Sequence, residues 1–530
     1  MDKSERPIQQ HPPADAFIEW AREQAVELSI PRYDHDYDDL GFISDVIGNR
    51  RVVAVGESAH YLHEWNRWRA RLFKYLAIEH GFSTFVLESA LVEGRRVHDY
   101  VAGADDDWDN IAAAINNVWG VWAELNELIR WMREWNMNPD RPRELRFYGM
   151  DGTGNWAHAR FAYRAVQDFA SRVDPSLADD IAREFEQAVE EVTFSTRGEI
   201  SGAKFRDLIA AASLVISRIE QTRITYTNLT SHDDYDWGLR CAQILRDVFL
   251  AIAQTDTDFQ VGFRQYWNVR DVSMAESLRW VREREGLDAG IVIGAHNTHL
   301  QRYPVRENRA TSMGSYVSSR FGQDDMLLIG ATSDRSLKGE PPIPESNQAA
   351  YAQIGPDCFF LDLRDAPKSG PVADWLNVER PDRSNLRYQP VCAGQAWDCL
   401  LFNRTLSTGE VERPGYLHAE PAEHLAGDLA RYSGRYNISG FLAAVNTLDV
   451  FYEDGVLYTD GQDDTSGEVF PPYKAPIHFC SDHKFRWKIW PSILEFHQAP
   501  DQDGDQVAVS VTTPGGSTYR GERIGDAVES

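Results

Sequence analysis

The chain has 530 residues, too many for one hydrophobic core, so two or three domains are expected. Its 42% hydrophobic and 26% charged content is that of a globular protein and excludes a disordered or fibrous chain. The net charge of −28 repels nucleic-acid backbones and anionic membrane surfaces, so neither is expected as a partner.

The opening stretch Met1–Pro7 is polar and has no apolar signal core, and no run approaches the roughly 20 apolar residues of a membrane span. Five scattered cysteines, Cys241, Cys358, Cys392, Cys399 and Cys480, form no C-x-x-C pair. Neither a disulfide framework nor a thiolate zinc site is expected, and reduced thiols point to a cytoplasmic location.

In chain order, Phe17, Trp20, Ala21, Val26 and Leu28 recur at helical spacing, with Pro31 as the stop. Residues 51–56 read as a strand. Trp65, Trp68, Leu72, Tyr75 and Leu76 predict a helix over Glu64–Glu79, Gly81 stops it, and Phe82–Leu87 reads as the next strand. Leu125, Leu128, Ile129 and Met132 predict a helix before the strand Arg146–Met150. From about 157 to 285 the pattern is almost wholly helical, with Arg270-Asp271 opening the last helix. Strands return at 290–295 and 326–330.

After about 410 the texture changes to short alternating runs, such as 448–452, 485–490 and 507–511. Turn signals punctuate them at Pro414-Gly415, Ser439-Gly440, Asp460-Gly461 and Pro514-Gly515. The expected fold is therefore α/β: a mixed or largely parallel sheet with flanking helices and a large helical insert, plus a small antiparallel β domain. The expected domains are 1–410, with the insert at about 157–285, and a β-rich accessory domain at 420–530. Trp487 and Trp490 are expected in strand packing.

Four strand ends finish on acids or histidines. They are Gly56-Glu57-Ser58-Ala59-His60, then Glu88, then Asp151, then His296-Asn297-Thr298-His299. In an open α/β sheet, ligands bind beyond the carboxyl ends of the strands, so these groups are expected to meet. A carboxylate beside an imidazole fixes its tautomer and raises its basicity, which suits Glu57 and His60 to activating water. If the turn after the strand is helical, Glu64 shares their face. Helix geometry measured from His60 puts Arg67 and Arg71 on its side and Arg69 away. Arg67, Arg69 and Arg71 are candidate partners for Glu88, an acid leaving a core strand. Asp151 precedes Gly152 and also suits a turn. His296 and His299 suit metal ligation, oxyanion donation or substrate hydrogen bonding.

Gly-x-Ser-x-Gly, a phosphate loop and His-Glu-x-x-His are all absent from the sequence, which favours histidine-activated water over a serine nucleophile. A mixed nitrogen/oxygen metal site from Glu57, His60, Glu88 and His296 or His299 stays open as an alternative. So does a non-catalytic binding or regulatory protein that keeps the cleft.

Taken in order, several blocks resemble the erythromycin esterase family. They are Val55–His60 with Glu64 and Arg69, Phe85–Ser89 with Glu93-Gly94, Phe147–Asp151, Arg270-Asp271 with Met274-Ala275, Gly294–His299, and Ala396–Leu401. The agreement spans about 40–405. The resemblance implies carboxylic-ester hydrolysis, with opening of a macrolide lactone, an antibiotic-resistance reaction, as the type reaction. It implies His60 as the base, Glu57 beside it, and Glu88, Arg69, His296 and His299 lining the same cleft, with Glu64 and Asp151 binding substrate. It implies no metal or other cofactor, and a small-molecule ester or lactone as the partner.

Overall fold

The structure is a computed structural model. It describes residues 13–528 except 31–36, 116–118, 153–158, 193–199, 255–258, 306–309, 323, 337–338, 385–386, 413–418, 439–446, 462–473, 482, 488–492, 499–506 and 513–517. The expected turns at Pro414-Gly415, Ser439-Gly440 and Pro514-Gly515, and Trp490, lie outside the described residues. The chain divides into two units, one of residues 1–85 and 287–409, the other of residues 86–286 and 410–530.

The first unit is built on a mixed sheet. Its strands are β1 (Val26–Glu27), β2 (Val52–Val55), β5 (Gly290–Gly294), β6 (Met326–Ser333), β7 (Cys358–Asp362) and β10 (Cys399–Asn403), and β3 (Phe82–Ala90) begins here. Their order is β1-β7-β10-β6-β2-β5, and β8 (Arg380–Ser384) and β9 (Arg387–Val391) form a separate two-stranded sheet. β10, β6, β2 and β5 run parallel, while β7 is antiparallel to both β10 and β1. Every residue of β2, β5 and β6 is buried, which is why these strands read as unbroken apolar runs. β2 stops at Val55, whereas β6 continues past Ile329, Val55's partner, to Ser333.

The helix His63–Glu79 follows β2 with Trp65, Trp68, Leu72, Phe73 and Leu76 buried. Gly81, at a φ of 74°, turns the chain straight into β3, as a left-handed position after a helix requires. The first helix, Asp15–Gln24, buries Phe17 and Ala21 as expected, and Phe17 stacks on Trp375 at 3.8 Å. It ends before Val26, which pairs with β7 instead. The helical spacing of Val26 and Leu28 was thus coincidental; strand pairing overrides it.

In the second unit β3 ends at Ala90 beside β4 (Arg146–Asp151). Between Ala159 and Glu285 the described residues form successive helices, the longest being Arg-rich Phe259–Glu285. Asp174 caps one of them, accepting from Ser176 N–H and Leu177 N–H ahead of Pro175. Gly238 lets the helix His232–Gln254 approach Phe169, whose ring would lie 2.5 Å from an added Cβ.

The C-terminal β domain is a closed antiparallel barrel of eight strands: β11 (Gly434–Ile438), β12 (Thr447–Glu453), β13 (Val456–Gly461), β14 (Ala475–Ser481), β15 (Lys484–Arg486), β16 (Ile493–Gln498), β17 (Val507–Thr512) and β18 (Thr518–Gly525). Pairing of β11 with β18 closes the ring and removes both sheet edges. Leu448, Val450, Leu494, Val509 and Val511 are buried in it, and buried Trp487 donates its indole N–H to Thr459 Oγ1 at 2.6 Å. No helix among the described residues is long and apolar enough to cross a membrane.

One buried histidine gives the second unit a pH dependence. His98, on the helix Gly94–Val101, donates Nδ1–H to the Phe147 carbonyl at 3.0 Å. Burial pushes its pKa down to about 4, against the opposing pull of that carbonyl. An unfolded histidine takes its proton near pH ~6.5. The folded chain therefore binds fewer protons between the two values, and stability falls as pH drops through that window. His98→Gln should remove a slope of about one proton from the pH dependence of unfolding measured in urea. An unchanged slope would show that this ring does not stay neutral in the folded state.

Candidate active site

β2 hands the chain to Gly56, whose N–H donates to the Ile329 carbonyl of β6 at 2.9 Å. A Cβ there would stand 2.0 Å from Asn297 Oδ1, so the close approach demands glycine. Glu57 follows and is fully buried. One of its carboxylate oxygens accepts His60 Nδ1–H at 2.6 Å, and the other accepts Arg69 Nη1–H at 2.8 Å. Arg69 also donates Nη2–H to the Ala295 carbonyl at 2.7 Å and Nε–H to the Val55 carbonyl at 3.3 Å. A single guanidinium thus ties the ends of β2 and β5 to the acid that orients His60. Arg69 is itself buried, so these charge-assisted bonds form away from water.

The loop between β2 and its helix is not helical. Tyr61 takes a φ of 67°, Leu62 is extended, and the helix begins at His63. A left-handed conformation is costly for so bulky a residue. It is held by Gly409 N–H, which donates to the Tyr61 carbonyl at 2.7 Å, and by the bridge of Leu62 with Thr408. The helical phase measured from His60 therefore does not carry into the helix. This is why Arg69, which that phase points away from His60, reaches the far side of Glu57. Arg71 turns to Asp39 instead. Glu64 does not share a helical face with His60; its carboxylate accepts Ser407 N–H at 2.9 Å and the Ser407 hydroxyl at 2.8 Å.

β5 delivers the second histidine. His296 caps the short helix Asn297–Leu300, and its Nδ1 accepts Thr298 N–H at 3.2 Å with Thr298 Oγ1 at 2.7 Å. Its ring lies 4.9 Å from that of His60, tilted by 57°. Asn297, to which the sequence reading gave no role, positions this turn. Its backbone N–H donates to the Glu57 carbonyl at 2.9 Å. Its side chain pairs with the backbone of Ala331 in both directions, at 2.7 and 3.2 Å, as a strand residue would. His299 is buried in the same helix. The first unit therefore brings together Glu57, His60, Arg69 and His296, with His299 one turn on.

The second unit holds the other two expected acids. Arg270 donates Nη2–H to Glu88 Oε1 at 3.0 Å, and Nη2–H and Nε–H to Asp151 Oδ2 at 2.9 and 3.1 Å. Arg270 is thus a partner of both Glu88 and Asp151, and one that lies outside the Arg67–Arg71 stretch from which a partner was expected. Arg270 and Asp271 lie inside the helix Phe259–Glu285 and do not open it. No glycine or proline breaks the chain there, and Asp271 is fully buried. Glu93 joins this cluster. Burial pushes its carboxyl up to about 7, and the negative charge of Asp151 adds to the effect.

Among the described residues no group of three or more His, Cys, Asp or Glu side chains is arranged to hold a metal ion.

This geometry is that of an α/β protein with an acid-oriented histidine at the carboxyl ends of parallel strands. A family model described as erythromycin esterase matches residues 78–402, and the chain belongs to that family. Membership supports an esterase or hydrolase. Erythromycin esterase type II of Escherichia coli is 25% identical over 334 residues, covering 60% of this chain and 77% of the relative. The type I enzyme of Escherichia coli is 24% identical, covering 54% and 71%. A putative hydrolase, YbfO, of Bacillus subtilis (strain 168) is 22% identical, covering 64% and 80%. Among solved structures, a Bacillus cereus protein matches with a TM-score of 0.65 at 20% identity, over 76% of this chain and 100% of its own. A mutant of the erythromycin esterase EreC in its open conformation matches with a TM-score of 0.60 at 16% identity, over 73% and 98%.

Arg69→Met would leave Glu57 buried with no guanidinium. The unfolding free energy measured in urea should fall by about 3 kcal/mol, the scale for stranding one partner of a buried ion pair. A loss under about 1 kcal/mol, the scale of an exposed pair, would mean that water reaches Glu57.

Proposed function

We propose that the chain is a carboxylic-ester hydrolase that opens lactones, with a histidine-activated water as nucleophile. The observation that carries this reading is Glu57, held between Arg69 and Nδ1 of His60. With Nδ1–H given to the carboxylate, the basic lone pair of the neutral ring sits on Nε2. His60 is a fifth exposed, the access a base acting on water needs.

In the proposed reaction Nε2 takes a proton from water as the oxygen attacks the ester carbonyl. Glu57 stabilises the imidazolium that forms. The tetrahedral oxyanion requires a donor. Arg69 donates to Glu57, Val55 and Ala295 and serves as an orienting group, and His296 is the donor in this scheme. The intermediate collapses by breaking the carbon–oxygen bond, and His60 returns the proton to the alkoxide. An acid and an alcohol result, on one molecule when the substrate is a lactone. The names of the relatives point to macrolides as the first lactones to examine. No metal or cofactor enters this scheme, and the proposed partner is a small neutral or cationic molecule, in keeping with the acidic chain. A cytoplasmic setting is proposed on the reduced cysteines.

Incubation with a panel of macrolides, simple lactones and aryl esters should give a product heavier by one water in intact-mass analysis. His60→Ala should lower turnover by about 100-fold or more, the scale of a lost general base. Glu57→Gln should cost less, and a larger loss there would move the base to Glu57. Turnover should survive exhaustive chelation. Loss that a single divalent ion restores would replace the scheme with a metal-dependent one.

A further inference from the structure

We propose that Thr298 is a positioning residue that locks His296 in the tautomer opposite to that of His60, so that one ring is the base and the other the donor. The inference deepens the hydrolase reading and rests on it for the roles, though not for the tautomers.

The two rings have different partners. His60 Nδ1 meets a carboxylate that is also bound to a guanidinium, so this nitrogen carries the hydrogen. His296 Nδ1 meets the backbone N–H of Thr298, which can only donate. That nitrogen must then hold a lone pair, and the neutral ring carries its hydrogen on Nε2. The Thr298 hydroxyl lies closer, at 2.7 Å, and with Nδ1 unprotonated it is free to donate to the same lone pair. Two donors on Nδ1 disfavour its protonation. A second effect acts in the same direction. When His60 takes its proton, a positive charge forms in a ring 4.9 Å away from that of His296. A second imidazolium there would be repelled, so His296 keeps its single hydrogen through the reaction.

The consequence is a division of labour between identical side chains. The lone pair at Nε2 of His60 removes the proton of water. The N–H at Nε2 of His296 donates to the oxyanion. Neither ring needs to change tautomer during turnover. Thr298 acts through His296, and its effect falls on transition-state stabilisation and not on binding.

The test is nitrogen NMR of the histidine rings in the full chain, with His60→Gln and His296→Gln used for assignment. At pH 7.5 His296 should show an unprotonated Nδ1 and a protonated Nε2, and His60 the reverse. Thr298→Val should shift the His296 Nδ1 resonance and lower kcat about tenfold with KM little changed. That is a fraction of the loss of a whole oxyanion donor. Thr298→Ser should restore both. A protonated Nδ1 on His296, or a Thr298→Val variant with unaltered resonance and kcat, would overturn the assignment. If the tautomers are as stated while no ester is hydrolysed, the hydrolase reading fails and the tautomer lock stands.

Discussion

The carboxylate of Glu57 is the constraint on which the rest of the first unit turns. It is fully buried at the end of a core strand, where an ionised group is tolerated only when paired and hydrogen-bonded. Arg69 and His60 supply both requirements from opposite sides. The solution has a structural by-product. The remaining donors of Arg69 take the terminal carbonyls of β2 and of the residue after β5, so the charge that neutralises Glu57 also fixes the spacing of the two strand ends. Orientation of His60 and alignment of the sheet therefore share one side chain.

A buried acid three residues before the histidine also dictates the backbone. The loop must bring Nδ1 back onto Glu57 and still enter a helix at His63. The left-handed Tyr61 makes that reversal, and the contacts of Gly409 and Thr408 hold it. Glu64, at the start of the helix, clasps Ser407 in the same segment. A strained residue beside a reactive one, held by several independent hydrogen bonds, is a pre-organised arrangement: the conformational cost is met in folding and not in the reaction. Asn297 does the same for His296 by imitating a strand partner of β6.

The sequence made the strands legible because those of the core are buried on both faces and read as apolar runs ending in acids or histidines. The helical insert and the β domain were legible from period and turn signals. Closure of the barrel was not, since pairing of β11 with β18 joins segments more than 80 residues apart and leaves no local mark. In the site, Glu57 with His60 could be read because both lie in one short motif. Arg69 was misplaced by extrapolating a helix through a non-helical turn; backbone shape there depends on the distant Gly409 and Thr408. Arg270 escaped as the partner of Glu88 and Asp151 because its helix continues across the point where a start was expected. Its partners lie 182 and 119 residues away.

The first-unit site uses little of the chain. Glu57, His60, Arg69 and His296 define it with Asn297 and Thr298, and the two bonds that Arg69 sends to the ends of β2 and β5 go to backbone carbonyls, which any residue supplies. Environment separates the roles of chemically similar groups in both units. Two histidines face a carboxylate and an N–H respectively. Two acids in the second unit, Glu88 and Asp151, are held by one arginine, while burial and the charge of Asp151 push the Glu93 carboxyl upward. A change of partner at any of these positions would alter the chemistry of the side chain without altering the side chain itself. Residue identity alone therefore under-specifies such sites, and hydrogen-bond direction is the property that assigns their roles.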